Sequence, residues 1–172
     1  MIINREWCMP HKNTFSIKPI KELIERYIHA GLWIDPFARN SDFNSRCIFT
    51  NDLNEDANTS HHLEAFEFLK TLNSYNMKFD GMLFDPPYSP RQISECYQSV
   101  GRAVHMKDTQ SSFYSDRKNE ANKLIKQNGL VICCGWNSNG FGKSRGFELI
   151  EMLVVAHGGA HNDTIVTVER KL

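Results

Sequence analysis

The chain has 172 residues, 41% of them hydrophobic, and its 20 basic and 20 acidic residues give a formal net charge of zero. This length buries a substantial core without disulfides or metals, and the zero charge excludes a strongly basic protein that binds nucleic acid by charge alone. No apolar stretch is long enough to cross a bilayer and the N-terminus lacks a secretory pattern. We therefore expect one domain, residues 1–172, in the cytoplasm and without a membrane partner.

Hydrophobic spacing in the first half of the chain predicts helices and strands in alternation, after an irregular start over residues 1–13. The predicted helices cover residues 14–30 and 61–72, and the predicted strands cover residues 32–34, 46–50 and 79–84. These three strands end at Asp35, at Asn51 and Asp52, and at Asp85.

The second half begins with a polar, weakly periodic segment, residues 89–116, which we expect to be an insertion that faces the substrate. A helix over 117–127 with an Asn128-Gly129 cap follows, and then strands over 130–136, 147–156 and 164–168. The last two strands predict an antiparallel hairpin. The sequence thus predicts an α/β fold with a mostly parallel sheet, helices on both faces and one antiparallel edge strand.

The residues Asp85, Pro86, Pro87 and Tyr88 form the strongest candidate for a catalytic site. Each proline fixes φ at about −65° and lacks an N–H, so the backbone here is extended and its carbonyls are free to accept hydrogen bonds. A planar amine has two protons, and the Asp85 carboxylate and the Pro86 carbonyl can each accept one. Tyr88 offers a ring on which the amine's own ring can stack.

The other strand ends indicate a nucleotide-like ligand beside Asp85, because ligands of open parallel sheets bind outside the carboxyl ends of the strands. Asp52 is placed to accept hydrogen bonds from both hydroxyls of a ribose, although a turn-forming Asn-Asp pair is the alternative. The turn after Asp35 lacks the glycines common in nucleotide-binding turns. We therefore expect Asn40 to adopt the left-handed backbone and Arg39 to point away from the ligand.

Five segments of this sequence, in this order, resemble the S-adenosylmethionine-dependent amino-methyltransferases that modify adenine N6 in DNA, particularly small phage-type members. They are FSIKPIKELIERYI, WIDPFARNS, FTNDLN, LEAFEFLKTL and FDGMLFDPPYS. Asp-Pro-Pro-Tyr is that family's catalytic motif, and residues 85–88 match it completely. The resemblance implies a Rossmann-like class I methyltransferase fold, S-adenosylmethionine as the cofactor, and a bacterial cell or phage-infected host. The chain departs from the family in the missing glycines after Phe37 and in having no target-recognition domain of ordinary size.

The resemblance also implies roles for single residues. The turn of Asp35, Pro36 and Phe37 corresponds to the methionine-binding turn, and Asp52 with Leu53 to the ribose contact. Glu64 with Ala65 corresponds to the position near the cofactor adenine. The segment of Phe15, Ile17 and Pro19 corresponds to the motif that closes over the methionine end, and Asp85 borders the cofactor as well.

Charge is distributed unevenly along the chain, since residues 89–146 carry nine basic and four acidic side chains and the remainder is correspondingly acidic. This segment predicts a phosphate-facing surface beside Asp85, with solvated helix faces as the alternative. The candidate substrate contacts, besides Tyr88, are Arg91, Arg102, Lys107, Lys143 and Arg145. The expected partner is DNA, with RNA possible, and a homodimer or a separate subunit is a possible source of target recognition.

Other residues point away from metal or disulfide chemistry. The five cysteines are scattered without ligand spacing, which predicts reduced thiols. We interpret His157 and His161 as parts of a hairpin turn, and His61 and His62 as the start of a helix, rather than as metal ligands. Two rival functions remain: methylation of another planar amine such as adenine in RNA, and a non-catalytic subunit that keeps the fold. In the resembled enzymes, Asn is common in place of Asp85 where protein glutamine or cytosine N4 is the acceptor.

Overall fold

The computed structural model describes residues 1–28 and 30–172, and of Lys107 and Thr109 the backbone alone. Within these residues the chain forms strands and helices in alternation. The strands are β1 (Ile2–Trp7), β2 (Trp33–Asp35), β3 (Phe49–Thr50), β4 (Phe79–Phe84), β5 (Ile125–Gly135), β6 (Phe147–Ala156) and β7 (Thr164–Lys171). The helices are α1 (Lys18–Tyr27), α2 (Ala65–Ser74), α3 (Pro90–Ser99) and α4 (Ser112–Leu124).

The strands form a single sheet in the order β1-β6-β7-β5-β4-β2-β3. Strand β7 runs antiparallel to β5 and β6, and the other neighbouring strands are parallel. The predicted mostly parallel sheet with a C-terminal antiparallel hairpin is confirmed. The prediction of an antiparallel edge strand is wrong, because β7 lies between β5 and β6 and is hydrogen-bonded on both sides.

Helices cover both faces of the sheet, as predicted. On one face, Ile20, Leu23 and Ile24 of α1 pack with alternate residues of the strands, including Leu83 of β4 and Ile132 of β5. The opposite face is covered by α2 and α4, which contribute Phe68, Leu69, Leu72, Ala121 and Leu124 to a second core. Alternation along the strands divides the two cores, because successive side chains of a strand point to opposite faces.

Local sequence explains where several helices begin. Glu64 caps α2 by accepting a hydrogen bond from the N–H of Phe66 (2.7 Å), and Ser89 caps α3 by accepting one from the N–H of Gln92 (3.2 Å). Pro90 follows as the first residue of α3, where its missing N–H costs nothing. Among the described residues, no helix has the length and apolar character needed to cross a membrane.

Two predicted helices have different bounds in the structure. The predicted helix over 14–30 divides into a 3-10 turn at Thr14–Ser16 and helix α1, because Ile17 is extended (φ −69°, ψ 119°). The end of that prediction includes His29, which lies outside the described residues. The helix predicted from His61 begins only at Ala65, since His61 instead forms an isolated parallel bridge with Asn51 beyond β3.

The predicted helix over 117–127 is wrong at both ends. Helix α4 begins at Ser112 and ends at Leu124, and β5 starts at once with Ile125. Asn128 has the left-handed backbone that a cap would need (φ 64°). It lies in an irregularity of the β4–β5 pairing, which passes from Phe79 opposite Ile125 to Gly81 opposite Leu130. The turn chemistry was therefore identified, but it belongs to a strand.

Strand β1 was not predicted, because its sequence has no alternating pattern. All six of its residues are exposed, and it pairs along one side with β6. Polar contacts bind it to the core, since the Asn4 side chain donates a hydrogen bond to Glu151 (3.2 Å). Glu151 is completely buried and also accepts hydrogen bonds from Arg26 (2.7 Å) and from the Tyr27 hydroxyl (2.7 Å) on α1.

Candidate functional site

The carboxyl ends of β2, β3 and β4 lie side by side at one edge of the sheet. Asp35 is in register with Thr50, and Ile34 is in register with Met82. The residues that follow these strands, Asp85 among them, therefore meet at this edge, where open parallel sheets bind ligands.

Asp35 is buried beneath this edge, with 1% of its surface exposed. Its Oδ1 accepts a hydrogen bond from the N–H of Phe37 (2.9 Å), while its Oδ2 has no hydrogen-bond partner among the described residues. Burial raises the pKa of Asp35 well above its ordinary value, and the nearby charge of Asp85 raises it further. Asp35 thus stabilises the turn after β2 by accepting the N–H of Phe37.

Asp85 follows β4 and is also buried, with 6% of its surface exposed. The Tyr88 hydroxyl donates a hydrogen bond to Asp85 Oδ1 and lies 3.4 Å from the Thr14 hydroxyl. Burial raises the pKa of Asp85, and the positive charge of Arg39 and the hydrogen bonds from Tyr88 and Thr14 oppose that increase. A buried carboxylate with a perturbed pKa in a cleft is a candidate functional group.

Tyr88 is held both at its backbone and at its ring. Its backbone N–H donates to Gln92 Oε1 (2.6 Å), and its ring meets Trp136 edge to face with centroids 5.7 Å apart. Trp136 directly follows β5 and is 39% exposed. Tyr88 and Trp136 therefore offer two aromatic rings beside Asp85.

A first cavity of about 430 Å³ lies on one side of Asp85 and falls within the range of ligand pockets. One part of its wall is polar and the other largely apolar. The polar part consists of Lys12, Asn13, Arg39, Asn40, Asn51, Asp52, Asn54, Glu64, Ser99 and Asp85, and the remaining part of Pro36, Phe37, Leu53, Ala57, Leu63, Ala65, Pro87, Cys96, Tyr97, Val100 and Phe113.

Internal hydrogen bonds fix the two acids of the first cavity that lie away from Asp85. Asp52 accepts from the N–H groups of Arg39 (3.1 Å) and Asn54 (2.8 Å), which leaves lone pairs on both oxygens for a ligand. Glu64 forms a buried ion pair with Arg117, and its Oε1 also accepts from the Tyr97 hydroxyl (3.2 Å). Asp52 is the better placed of the two to receive ligand hydroxyls.

A second cavity of about 260 Å³ lies on the other side of Asp85. All four residues of the predicted catalytic motif, Asp85 to Tyr88, line it. Its other lining residues are Pro10, His11, Lys12, Thr14, Ile17, Arg39, Gln92, Trp136, His157, His161, Asn162 and Thr164. A small cleft lined by Asn13, Thr14, Phe15, Phe37, Ala38, Arg39, Ser41 and Asp85 adjoins both cavities.

Asp85 and Arg39 are the residues that line both cavities and the cleft. The prediction that Arg39 points away from the ligand site is wrong, and so is the assignment of the left-handed backbone to Asn40. Arg39 itself has φ 49°, and its guanidinium Nη1 donates to the carbonyl of Lys12 (2.8 Å). The contact to Lys12 holds the guanidinium over the turn.

Most residues predicted to bind the cofactor line one of these spaces. Those in the first cavity are Pro36, Phe37, Asp52, Leu53, Glu64, Ala65 and Asp85. Phe15 lines the cleft and Ile17 the second cavity. Asp35 and Pro19 line none of the three, because both are buried, Asp35 below the turn and Pro19 in the first turn of α1.

The predicted substrate cations whose side chains the structure describes do not line these spaces. The structure places them on surrounding surfaces: Arg91 pairs with Glu95, Arg102 lies over the Tyr97 ring (4.8 Å to its centroid), and Arg145 donates to Asn119 and Ser115. Lys143 is exposed, and the side chain of Lys107 lies outside the described residues. Contact of these cations with a polymer that extends beyond the cavities stays a prediction.

The segment over 89–116 contributes mainly to the first cavity, through Cys96, Tyr97, Ser99, Val100 and Phe113, and to the second through Gln92. Lys12 and Trp136 line the site but were not predicted there. Trp136 could have been found from the sequence, because it is an aromatic residue at the carboxyl end of a strand. For Lys12 no local signal exists, since its segment reaches the site through tertiary packing.

The ring of His157 has structural partners on both of its nitrogens. The ring of His157 lies between the carbonyl of Cys8 (2.7 Å to Nδ1) and the hydroxyl of Thr164 (2.9 Å to Nε2). Within the described part of the chain, no group of three or more His, Cys, Asp or Glu side chains is arranged to hold a metal ion. The described cysteines are free thiols.

No protein-family model and no curated protein matches this sequence. Solved structures match it in fold. TrmN from Thermus thermophilus is 19% identical, with a TM-score of 0.57, over 91% of this chain and 49% of that one. SMU.776, crystallised with SAH, is 13% identical, with a TM-score of 0.59, over 87% of this chain and 47% of that one.

A third similar structure is the 1,6-didemethyltoxoflavin-N1-methyltransferase of Burkholderia thailandensis, bound to 1,6-didemethyltoxoflavin and S-adenosylhomocysteine. It is 11% identical, with a TM-score of 0.54, over 90% of this chain and 77% of that one. The chain spans about half the length of TrmN and SMU.776. These likenesses, together with the strand order, show that the fold is of the Rossmann-like class I methyltransferase type.

Proposed function

We propose that this protein transfers a methyl group from S-adenosylmethionine to the exocyclic N6 of adenine in DNA, as a single methyltransferase domain. The observation that carries the proposal is the position of the motif Asp85 to Tyr88 between two cavities. Asp85 lines both of them, so a ligand in each cavity would meet at this carboxylate. Group transfer needs this arrangement, because much of its acceleration comes from holding two reactants together.

The first cavity fits the proposed cofactor. Asp52 has free lone pairs for ribose hydroxyls, and the side chains of Leu53, Ala65 and Val100 provide an apolar surface for an adenine ring. The acid Asp85 lies at the end that adjoins the second cavity, where it would attract a sulfonium. When bound, S-adenosylmethionine supplies an electrophilic methyl group.

On the acceptor side, the residues of the chain polarise and orient an amine. Asp85 accepts a hydrogen bond from one N–H of the amino group and the Pro86 carbonyl accepts one from the other N–H, which directs the nitrogen lone pair away from its ring. The Asp85 Oδ1 already receives the Tyr88 hydroxyl, but a carboxylate accepts several hydrogen bonds, so Oδ2 remains available. Tyr88 and Trp136 hold the ring, at about 1–3 kcal/mol per stacked base.

The choice of adenine in DNA rests on the complete Asp-Pro-Pro-Tyr match and on the aspartate at its first position. The second cavity, at about 260 Å³, has room for a single base beside the buried Asp85. A base in a duplex would therefore leave the stack, at a cost of a few kcal/mol that stacking on Tyr88 and Trp136 would partly offset. The cations of residues 89–146 would contact phosphates, and a second copy or a partner subunit would extend target recognition.

Another planar amine is the second candidate acceptor. The Burkholderia thailandensis methyltransferase of the same fold has 1,6-didemethyltoxoflavin bound, so the fold is compatible with acceptors other than DNA. Comparing methyl transfer to single-stranded DNA, duplex DNA, RNA and free nucleosides under one set of conditions separates these acceptors. Transfer to RNA or to nucleosides alone would overturn the assignment to DNA.

The decisive test of catalysis is the substitution Asp85→Asn, with Asp116→Asn on the exposed face of α4 as the matched control. Asp85→Asn keeps the size of the side chain but removes its charge, and we expect methyl transfer to fall about 10²- to 10⁴-fold. Sequencing the DNA of a methylation-free host that expresses each variant reports methylated adenines and the target sequence. Wild-type turnover in Asp85→Asn would contradict the proposed mechanism.

A non-catalytic subunit with this fold is distinguished by cofactor binding. The absence of turn glycines raises this alternative, and calorimetric titration of the wild type with S-adenosylmethionine answers it. We expect binding in the micromolar range, which is typical of enzyme substrates. No binding up to millimolar concentration, with or without DNA, would favour the subunit.

A further inference from the structure

We propose that Arg39 binds the carboxylate of the amino-acid moiety of S-adenosylmethionine, at the junction of the two cavities. This inference rests on the proposed function and assigns a ligand contact to a residue that stands where a nucleotide-binding turn usually has glycine. Four observations support it: the use of the turn's backbone amides, the position of the guanidinium, its available donors, and the charges around it.

The backbone of the turn after β2 has no amides to offer an anion at its three central positions. The N–H of Phe37 donates to Asp35 Oδ1 (2.9 Å), and that of Ala38 donates to the carbonyl of Asn51 (2.9 Å). The N–H of Arg39 donates to Asp52 Oδ2 (3.1 Å). Glycine-rich turns bind anions through such N–H groups. Because these groups are engaged here, a side chain has to neutralise the ligand's carboxylate.

The guanidinium of Arg39 is held where that carboxylate would lie. Arg39 lines the first cavity, the cleft and the second cavity, as does Asp85. Its backbone is left-handed, φ 49°, and the hydrogen bond from Nη1 to the Lys12 carbonyl (2.8 Å) fixes the guanidinium next to that segment. The residue is thus positioned before any ligand arrives.

The guanidinium retains donors for a ligand. Arginine has five N–H donors in a planar fork, and the contact to Lys12 uses Nη1. Among the ion pairs formed within the described residues, none includes Arg39. A planar fork without a carboxylate partner matches a carboxylate in two parallel hydrogen bonds.

The charged residues around the first cavity match the separate positive and negative groups of the ligand. Asp85 lines the first cavity and suits the cationic sulfonium and ammonium groups, but it would repel the carboxylate. Arg39 lies near enough to Asp85 and Asp35 for its charge to lower the pKa of both, against the effect of their burial. It is therefore a cation placed next to the acids, as a zwitterionic amino acid requires.

A phosphate of the nucleic acid is the competing anion, because Arg39 also lines the second cavity. The cofactor carboxylate is favoured because the backbone of Arg39 is joined to Asp52, and Asp52 lines the first cavity only. The two anions predict different responses when one group is deleted from the cofactor.

The experiment compares S-adenosylmethionine with decarboxylated S-adenosylmethionine, which lacks the carboxylate alone, by calorimetric titration of the intact protein without acceptor. The control Arg5→Ala changes an exposed residue of β1. We expect the wild type and this control to bind the complete cofactor about 10- to 100-fold more tightly than the decarboxylated form. Arg39→Ala should weaken binding of the complete cofactor by that factor and leave the decarboxylated form within about 3-fold. Arg39→Gly should behave alike, and it adopts positive φ without strain. This second variant keeps the test valid if Arg39→Ala folds poorly.

Each remaining outcome overturns the assignment. An equal loss for both ligands would mean that Arg39 shapes the cavity without contacting the carboxylate. An unchanged preference, with DNA binding that is weaker and less salt-dependent, would assign Arg39 to a nucleic-acid phosphate. If the wild type bound neither ligand, the proposed function itself would fail and this site with it.

Discussion

The two cavities that meet at Asp85 are built differently. In the first, charged side chains are buried and fixed by one another: Glu64 and Arg117 form an ion pair whose side chains are 10% and 8% exposed. In the second, Trp136 is 39% exposed and His161 is exposed as well, while the exposed Lys12 and Arg39 line both cavities. The first cavity thus depends on a buried ion pair at its wall, whereas the second is bordered by the exposed ring of Trp136.

This difference matches what the proposed ligands require. A cofactor that is always the same suits walls set by folding, since pre-organised groups bind without further ordering. An acceptor on a large polymer has to enter and leave, and exposed rings and cations allow this. The comparison therefore predicts that damage to the first cavity lowers stability, while damage to the second lowers acceptor binding with little effect on stability.

The largest expected effect is on the stability of the first cavity. Arg117→Met leaves the buried Glu64 carboxylate without its cation, and it also removes the guanidinium stacked 3.4 Å from the centroid of the Phe113 ring. We expect a loss of about 3–5 kcal/mol in the free energy of unfolding, measured by denaturant titration.

The control for this prediction is Arg91→Ala, which breaks the exposed pair with Glu95, whose side chains are 87% and 56% exposed. An exposed pair contributes about 0–1 kcal/mol. Equal small losses in the two variants would show that the first cavity is no more dependent on its ion pair than a surface helix is.

The next effect concerns the second cavity. Trp136→Ala should weaken binding of an adenine-containing single strand about 5- to 150-fold, because one stacking surface is lost. Affinity for S-adenosylmethionine should change less than about 2-fold, since Trp136 does not line the first cavity. Filter binding and calorimetry measure the two affinities, and Trp136→Phe should restore most of the first. Loss of cofactor affinity with retained DNA affinity would reverse the comparison.

The smallest expected effect is a shift in the pH dependence of kcat/KM, which depends on Asp85 and Arg39 where the two cavities meet. Because burial raises the pKa of Asp85, and the carboxylate form accepts the amine proton, kcat/KM should fall on acidification at a pH above the ordinary aspartate range. Removing the positive charge in Arg39→Ala disfavours the carboxylate, so this acid limb should move to still higher pH. Arg5→Ala is the control, and a limb that stays in place or moves to lower pH in Arg39→Ala would contradict the proximity of the two groups.

Much of the fold was predictable because hydrophobic periodicity reports which faces are buried. Strand β4 was predicted at its exact bounds, and the hairpin of β6 and β7 was identified. Strand β1 was missed, because an exposed edge strand has no buried face to produce a pattern. The position of β7 inside the sheet was missed because strand order depends on which neighbours close the sheet, and local periodicity does not contain that information.

The place of the motif in the fold was predictable because backbone geometry decides it, whereas predictions that depended on side-chain direction failed. The motif after β4 was found, since two prolines and an acid at a strand end constrain the chain locally. Asp35 was expected at the ligand and is instead buried beneath the turn, whereas Arg39 was expected outside and lines both cavities. Four predicted cations, among them Arg91 and Arg145, instead lie outside both cavities.

The sequence by itself determined the strand that carries Asp85, the Asp-Pro-Pro-Tyr tetrapeptide after it and the edge of the sheet at which it lies. These follow from local constraints: proline geometry, periodicity and the rule for carboxyl ends of parallel strands. Only the tertiary structure decided that Asp85 separates two cavities, that Arg39 joins them and that Trp136 stands beside Tyr88. Those residues lie far apart in the sequence, so packing alone brings them together.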